Sequence, residues 1–337
     1  MLLLAVFQIL HPAPPLPPPP DFTKRAHTYS IVAYDSATGD LGIAVQSKFP
    51  NVGGLVPWAR AGVGAVATQA LSNTDYGEKG LELMARGAAA PEAMRIIMRT
   101  DPQPSQRQVG MVDAHGNSAS WTGDSTFDWA GGRTGGRGDG QMGGKGQLIV
   151  GRSYAAQANI MVSDATVRNM AETFERSRGS LADRLIAALV AGQAGGGDKR
   201  GMQSAAVLVV RAKGGYLGGT DRYIDIRVYD APDPIKELQR LYALHKLYFF
   251  TSDSADLMQI TPALQKELEA ILLTEPANQT QKWLVAPQPS LNDTFLTALA
   301  NFMYWENYDV RVRMDGKIDR VALDDIRKNR KGVRSAR

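Results

Sequence analysis

Strand-forming residues run from Tyr29 to Tyr34, give way to turn chemistry at Asp35 to Gly39, and resume from Leu41 to Gln46, which predicts a β-hairpin. A third strand is predicted over Val63–Gln69, followed by helical spacing at 76–86 and at 91–99, where Pro91 suits a first helical turn. Residues 107–113 and 117–122 predict a second hairpin. The stretch 131–146 carries nine glycines and few apolar residues, so a long surface loop is expected there, serving as a lid or a flexible insert. Helical patterns return at 164–177 and 180–192, strands at 203–211 and 222–229, and an amphipathic helix at 234–247. Short helices are predicted over Thr261–Leu273, Ser290–Asn307 and Asp319–Lys328. No internal repeat is visible.

Strands, helices, strands and helices in that order, without regular βαβ alternation, predict a layered α+β architecture with two packed sheets between helices. The main domain is expected over 28–247, a linker over 248–260, a small helical domain over 261–330 and a basic tail over 331–337. Phe302, Tyr304, Trp305 and Tyr308 fall at helical spacing and are expected in the core of that small domain.

Charge changes the picture only at the end of the chain. The net charge of the 337 residues is +4, and residues 311–337 alone carry +6, leaving −2 for the rest. No nucleic-acid footprint is therefore expected on the main domain. Cysteine is absent, which excludes a thiol nucleophile and thiolate metal sites. The four histidines are scattered, and neither a protein-bound metal nor a cofactor is expected.

Residues 1–10 are almost wholly apolar and residues 12–20 are mostly proline. The apolar run is too short to span a bilayer. Two readings stay open: a signal or propeptide lacking its positively charged start, which implies a periplasmic or secreted protein, or an extension from an upstream start codon, which implies a cytoplasmic one.

Several strings go further. His27-Thr-Tyr-Ser-Ile-Val-Ala33, Gly42-Ile-Ala-Val-Gln-Ser-Lys48, the run from Val56 to Gln69, the run from Gln193 to Ser204, and Asp221-Arg-Tyr-Ile-Asp-Ile-Arg227 together resemble the domain-of-unknown-function family 1028. The resemblance covers roughly residues 28–247, with the motifs in family order, and it implies a four-layer αββα sandwich similar to N-terminal-nucleophile (Ntn) hydrolases. The glycine-rich stretch looks like an insertion ahead of Gln157-Ala-Asn-Ile160. Residues 260–330, with Phe302-Met-Tyr-Trp-Glu-Asn307 and Gly316-Lys-Ile-Asp319, look like a bacterial peptidoglycan-binding-like domain.

Ntn chemistry needs a Ser, Thr or Cys as the first residue of the mature chain, because its own α-amine acts as the base. The resemblance puts Thr28 in that role once residues 1–27 are removed; the alternative is a β-branched residue that simply opens a strand. Lys48 is a candidate to tune the Thr28 amine, or a solvated strand end, and Asn159 a candidate oxyanion-hole amide. Ser30, Ser47, Thr68 and Gln69 are candidate substrate contacts from the strands. Asp198, Arg200, Gln203 and Ser204 are candidates from the glycine-rich turn. Arg200 is suited to fork a substrate carboxylate, while pairing of Asp198 and Arg200 with each other or with Asp225 and Arg227 is equally open.

Two function classes compete. One is an amidohydrolase acting on a small-molecule or peptide-like amide; the other is a non-catalytic ligand-binding or cell-envelope-associated member of the same fold. Either is compatible with a cell-wall glycan partner for residues 261–330 and with a homo-oligomer.

Overall fold

The computed structural model describes residues 28–127, 129–136, 141–274 and 281–330. The apolar and proline-rich leader and the 331–337 tail lie outside them. The first strands are β1 (Thr28–Tyr34), β2 (Leu41–Ser47), β3 (Pro57–Arg60) and β4 (Gly64–Ala70). Helices α1 (Asp75–Ala85) and α2 (Ala90–Thr100) follow, then β5 (Arg107–Asp113), β6 (Asn117–Thr122), β7 (Gly131–Thr134), β8 (Met142–Gly143), β9 (Gln147–Arg152) and β10 (Tyr154–Asn159). Next come α3 (Ala165–Arg176), α4 (Leu181–Ala194), β11 (Ser204–Val210), β12 (Arg222–Val228) and α5 (Pro234–Phe249). The chain ends through β13 (Leu257–Gln259), α6 (Pro262–Thr274), α7 (Asp293–Trp305), β14 (Lys317–Asp319) and α8 (Arg320–Arg330).

The protein is a mixed α/β chain with several antiparallel sheets and eight helices among the described residues. It divides between Ile235 and Lys236 into two compact units. In the first, a seven-stranded sheet runs β12-β11-β2-β1-β10-β7-β8 and a five-stranded sheet runs β3-β4-β5-β6-β9. Strands β1 and β10 face β4 and β5 across the gap between the sheets. On their outer faces, α3 and α4 pack on the larger sheet, and α1 and α2 on the smaller.

Two-residue alternation decides which side chains meet in the middle. On β1, Tyr29 reaches α4, where its hydroxyl donates to Gln193 Oε1 at 3.2 Å, whereas Ser30 bonds to Gln69 of the facing sheet. One part of the intersheet space is apolar, filled by Val32, Val45, Val56, Ala67 and Val112. The other part is polar and is described below.

Two expectations change in this unit. The glycine-rich stretch is not one irregular loop: Gly131–Thr134 pairs with β10 and Met142–Gly143 pairs with β7 in turn. Close approach explains the glycines, since a Cβ on Gly132 would stand 2.4 Å from Ser120 Oγ and one on Gly135 2.4 Å from the Arg152 carbonyl. The strand β10 itself, central in the larger sheet, carries too little apolar alternation in Tyr-Ala-Ala-Gln-Ala-Asn to be read as a strand.

The second unit has its own core, built on Leu264, Leu268, Phe295, Leu299, Phe302 and Leu323. Its start precedes the expected 248–260 linker because α5 contributes to this unit: Leu247 joins that core, and the Leu247 and Lys246 carbonyls accept from Arg311 at 2.7 and 2.8 Å. The expected linker itself carries β13, paired with β14. Of the four aromatics expected in the core, Phe302 and Tyr308 are buried while Tyr304 and Trp305 are exposed. Tyr304 lies about 200° round the helix from Phe302, and Trp305 occupies the last position of α7.

Arg311 also forms an ion pair with Asp319 at 2.6 Å, with side chains 5% and 0% exposed. Burial works to raise the Asp319 carboxyl, but the neighbouring Ser252 side chain, the Ala322 N–H, which donates to it at 3.0 Å, and the Arg311 charge outweigh it and hold it below the usual carboxylate range. Arg311→Ala would leave a buried carboxylate without its partner, at a cost of about 3–5 kcal/mol. Hydrogen exchange across α8 under urea should read this as a lower unfolding midpoint for this unit.

Candidate functional site

Thr28 opens the central strand of the larger sheet, directly opposite Ser47 on β2 and Asn159 on β10. It is 3% exposed, and its hydroxyl shares a hydrogen bond of 3.1 Å with the Ser47 hydroxyl. Strand alternation thus gathers three of the residues singled out in the sequence at one strand end. Ser30 follows on the same face.

A cluster of buried carboxamides faces these groups, and its orientation can be worked out from backbone carbonyls, which only accept. The two Nε2 hydrogens of Gln108 on β5 are shared among the Ala158 carbonyl at 2.9 Å, Thr122 Oγ1 at 2.9 Å and, more distantly, the Gly131 carbonyl at 3.3 Å. Its Oε1 therefore accepts, from Gln69 Nε2 at 2.7 Å and Asn159 Nδ2 at 2.9 Å. The same two amides also donate to the Thr28 carbonyl, at 3.0 Å from Gln69 and 3.4 Å from Asn159. Gln69 Oε1 then accepts from Ser30 Oγ, which accepts from Gln157 Nε2 at 2.6 Å. At the ends of this chain, the buried Asn159 Oδ1 and Gln157 Oε1 have no hydrogen-bond partner among the described residues. Gly110 on β5 makes room, since a Cβ there would stand 2.3 Å from Gln157 Oε1.

The oxyanion role expected of Asn159 meets an obstacle here: both Nδ2 hydrogens are engaged, one by Gln108 and one by Thr28.

Beside Asn159 lies a cavity of about 250 Å³, bounded also by Ala70, Leu71, Gln106 and the segment Ser125 to Phe127. Ala70 at the end of β4 and Ile160 just past β10 adopt left-handed backbone, with φ of 64° and 59°. A β-branched residue is rarely found there, and such strain concentrates at functional positions. The wall of the cavity is pinned by Arg107, which donates to the Leu71 carbonyl at 2.7 Å and pairs with Asp101 at 2.8 Å. Burial works to raise the Asp101 carboxyl, but Arg107, the Tyr76 hydroxyl and the Gln103 N–H hold it far below the usual range.

The remaining candidates are placed differently. Thr68 donates to the Asn73 carbonyl at 3.1 Å, an ordinary strand-to-loop bond on the face opposite Gln69. Lys48 sends its ammonium to the Met202 carbonyl at 3.1 Å. Asp198 is buried, accepts the Lys48 N–H at 3.2 Å and pairs with Arg200 at 3.2 Å, while Asp225 pairs separately with Arg227 at 2.8 Å. The Gln203 N–H donates to the Ser47 carbonyl, and Ser204 Oγ bonds to Phe49 O and Val52 N. These residues therefore clamp the glycine-rich turn onto the end of β2, next to Ser47.

Gln108, Gln157 and Thr122 were not among the sequence candidates. The available signal was polar residues at inward positions of strands, as in Arg-Gln-Val-Gly-Met-Val, where Gln108 alternates with apolar Val109 and Met111. A second cavity of about 540 Å³ includes Tyr34, at the opposite end of β1 from Thr28, together with Arg152, Arg184 and Glu175.

A family model described as a family of unknown function, DUF1028, matches residues 28–141 and 137–238. The chain belongs to this family. The crystal structure of protein SPO2555 from Silicibacter pomeroyi, of the DUF1028 family, is similar to it with a TM-score of 0.56 and 28% identity, over 68% of this chain and 89% of that one. No curated protein matches the chain. The DUF1028 match begins at Thr28 and takes in every strand that supplies the carboxamide cluster.

If Gln108 is the anchor of that cluster, Gln108→Leu removes the side-chain donor from the Ala158 and Gly131 carbonyls and the acceptor from both flanking amides, at a cost of about 2–4 kcal/mol in urea unfolding. Ser118, whose buried hydroxyl has no partner among the described residues, is the contrast. Ser118→Ala should leave stability unchanged or raise it by up to about 1 kcal/mol.

Proposed function

We propose that this member of the DUF1028 family is an amide hydrolase of the Ntn type, with Thr28 as nucleophile after removal of residues 1–27. The observation that carries the reading is the placement of Thr28: first residue of the central strand, hydroxyl bonded to Ser47, carbonyl held by two buried carboxamides. The stacking of helices, larger sheet, smaller sheet and helices supports it, because that is the αββα order of the Ntn sandwich. So does the start of the family match at residue 28.

In this mechanism Thr28 Oγ1 attacks the amide carbon and passes its proton to the Thr28 α-amine. The C–N bond then breaks, the ammonium proton goes to the leaving nitrogen, and water hydrolyses the resulting ester. A free α-amine titrates near pH 8, whereas an internal threonine has no such base. Lys48, fixed on the Met202 carbonyl, enters as a positive charge that lowers the amine's pKa.

Thr28→Ala should abolish hydrolysis of any amide the wild type cleaves, with little change in the melting curve, and Thr28→Ser should retain part of it. Blocking removal of the leader should be as damaging as the alanine change. Lys48→Ala should move the rising limb of the pH–rate profile to higher pH. Equal rates for wild type and Thr28→Ala would sink the mechanism; amino-terminal sequencing of protein from a native-like host checks the processing step.

The exposed aromatics of the second unit favour an additional reading of that unit as a glycan-binding module. Trp305 is 62% exposed, with Trp283 beside it at 6.0 Å between ring centroids, and Tyr304 is 52% exposed. The full chain should sediment with purified cell-wall sacculi at low salt, and Trp305→Ala should reduce the bound fraction several-fold. Unchanged sedimentation of the variant assigns any binding to the basic residues instead, in which case added salt should release it.

A further inference from the structure

The cavity next to Asn159 has no charged group among the described residues that line it: Ala70 and Leu71 are apolar, Gln106, Ser125 and Thr126 are neutral and polar, and Phe127 is a half-exposed aromatic. A carboxylate or ammonium entering it would lose water without gaining an opposite charge from these residues, which is costly. The guanidinium of Arg107, next to Gln106 in sequence, is already committed to Asp101 and to the Leu71 carbonyl.

What the cavity does offer follows from the carboxamide chain. The Ala158 and Gly131 carbonyls fix Gln108, and Gln108 fixes Asn159 with Nδ2 inward. The atom of Asn159 left to a ligand is then Oδ1, an acceptor that is buried and has no partner among the described residues. Flipping Asn159 to present an N–H would put its oxygen against Gln108 Oε1, two acceptors face to face. The acceptor character of the site is therefore set by backbone carbonyls two residues removed from the ligand.

We infer that this cavity is the specificity pocket of the Thr28 site and takes a small uncharged group bearing an N–H, with Asn159 Oδ1 accepting from it, so that the substrates are neutral carboxamides and not carboxylates. This rests on the placement of Thr28 for its connection to catalysis, because Asn159 is the register partner of Thr28 and the residue that the cavity and the strand end share. The pocket itself stands on its own geometry. Phe127 covers the apolar part of the ligand, and the left-handed turns at Ala70 and Ile160 hold the pocket's two strand ends apart from ordinary strand continuation.

The test compares two isosteric probes, N-acetylglycinamide and N-acetylglycine, titrated at neutral pH against the full chain carrying Thr28→Ala, so that binding is read independently of any turnover. The expected result is at least tenfold tighter binding of the carboxamide. Asn159→Ala, added to the same chain, should weaken carboxamide binding about tenfold, the equivalent of one hydrogen bond to a neutral group. Since that change also removes a partner of Gln108, Phe127→Ala serves as the second variant: a half-exposed side chain whose loss leaves the network intact and should weaken the carboxamide about fivefold. Equal or tighter binding of the carboxylate overturns the inference, as does absence of carboxamide binding, or binding that neither variant changes. Carboxamide binding with the expected variant effects, but no hydrolysis by the wild type, would leave the pocket standing and remove the Thr28 mechanism.

Discussion

Two main-chain carbonyls, those of Ala158 and Gly131, decide the polarity of the whole strand end where Thr28 sits. They belong to residues paired with each other on neighbouring strands of the larger sheet, and each accepts a further bond from across the gap, where only a donor fits. Gln108 supplies it, and once its amide is fixed every later choice follows: Gln69 and Asn159 present hydrogen to its oxygen, both also reach the Thr28 carbonyl, and Ser30 and Gln157 fall into line behind Gln69. Such a chain holds together because each buried group would otherwise be left unsatisfied at a cost of about 1–3 kcal/mol. Direction in the chain also determines where it runs out, and it runs out on acceptors.

The intersheet space is consequently of two kinds. Around Val32, Val45 and Val112 it is an ordinary apolar core, held by area removed from water. Around Thr28 it is a sheet of carboxamides, held by directional bonds and permitted by glycine at 110 and 132, where side chains would collide with Gln157 and Ser120. The first part sets stability without positional accuracy; the second sets positions within the bond lengths of a network. Strain is placed at the same end, in Ala70 and Ile160, and the loop wall is pinned by Arg107 and Asp101. A site that must hold a hydroxyl, an amide and a small ligand in fixed relation needs that rigidity.

The second unit relies on different physics. Its helices present continuous apolar faces, and its deeply buried ion pair, Arg311 with Asp319, is satisfied by the α5 carbonyls and by the Ala322 N–H on the carboxylate. A pair so placed contributes little by its Coulomb attraction alone but strongly resists loss of either member. Exposed Tyr304 and Trp305 lie outside this core, which leaves them to the surface.

Periodicity alone placed the helices of both units and seven strands of the first, because apolar spacing reports local geometry wherever one face is buried and the other is not. It missed β3, β7 to β10, β13 and β14. Gly-Gly-Arg-Thr and Tyr-Ala-Ala-Gln-Ala-Asn owe their extended form to neighbours on both sides in a sheet, and nothing in their own sequence records those neighbours. The candidate residues divide in the same way. Thr28, Ser30, Ser47, Gln69 and Asn159 were legible as polar residues within family motifs, and the tertiary structure brings them together; Thr68 faces the other way, and Lys48, Asp198 and Arg200 are drawn to the adjoining turn. Gln108 and Gln157 were not legible as a site, because a glutamine in a strand has the same letter whether it meets water or a carbonyl of the opposite sheet. Sequence determines which face of each strand a side chain occupies; only the packing of two sheets decides which acceptors lie across the gap, and therefore which way every amide in it must turn.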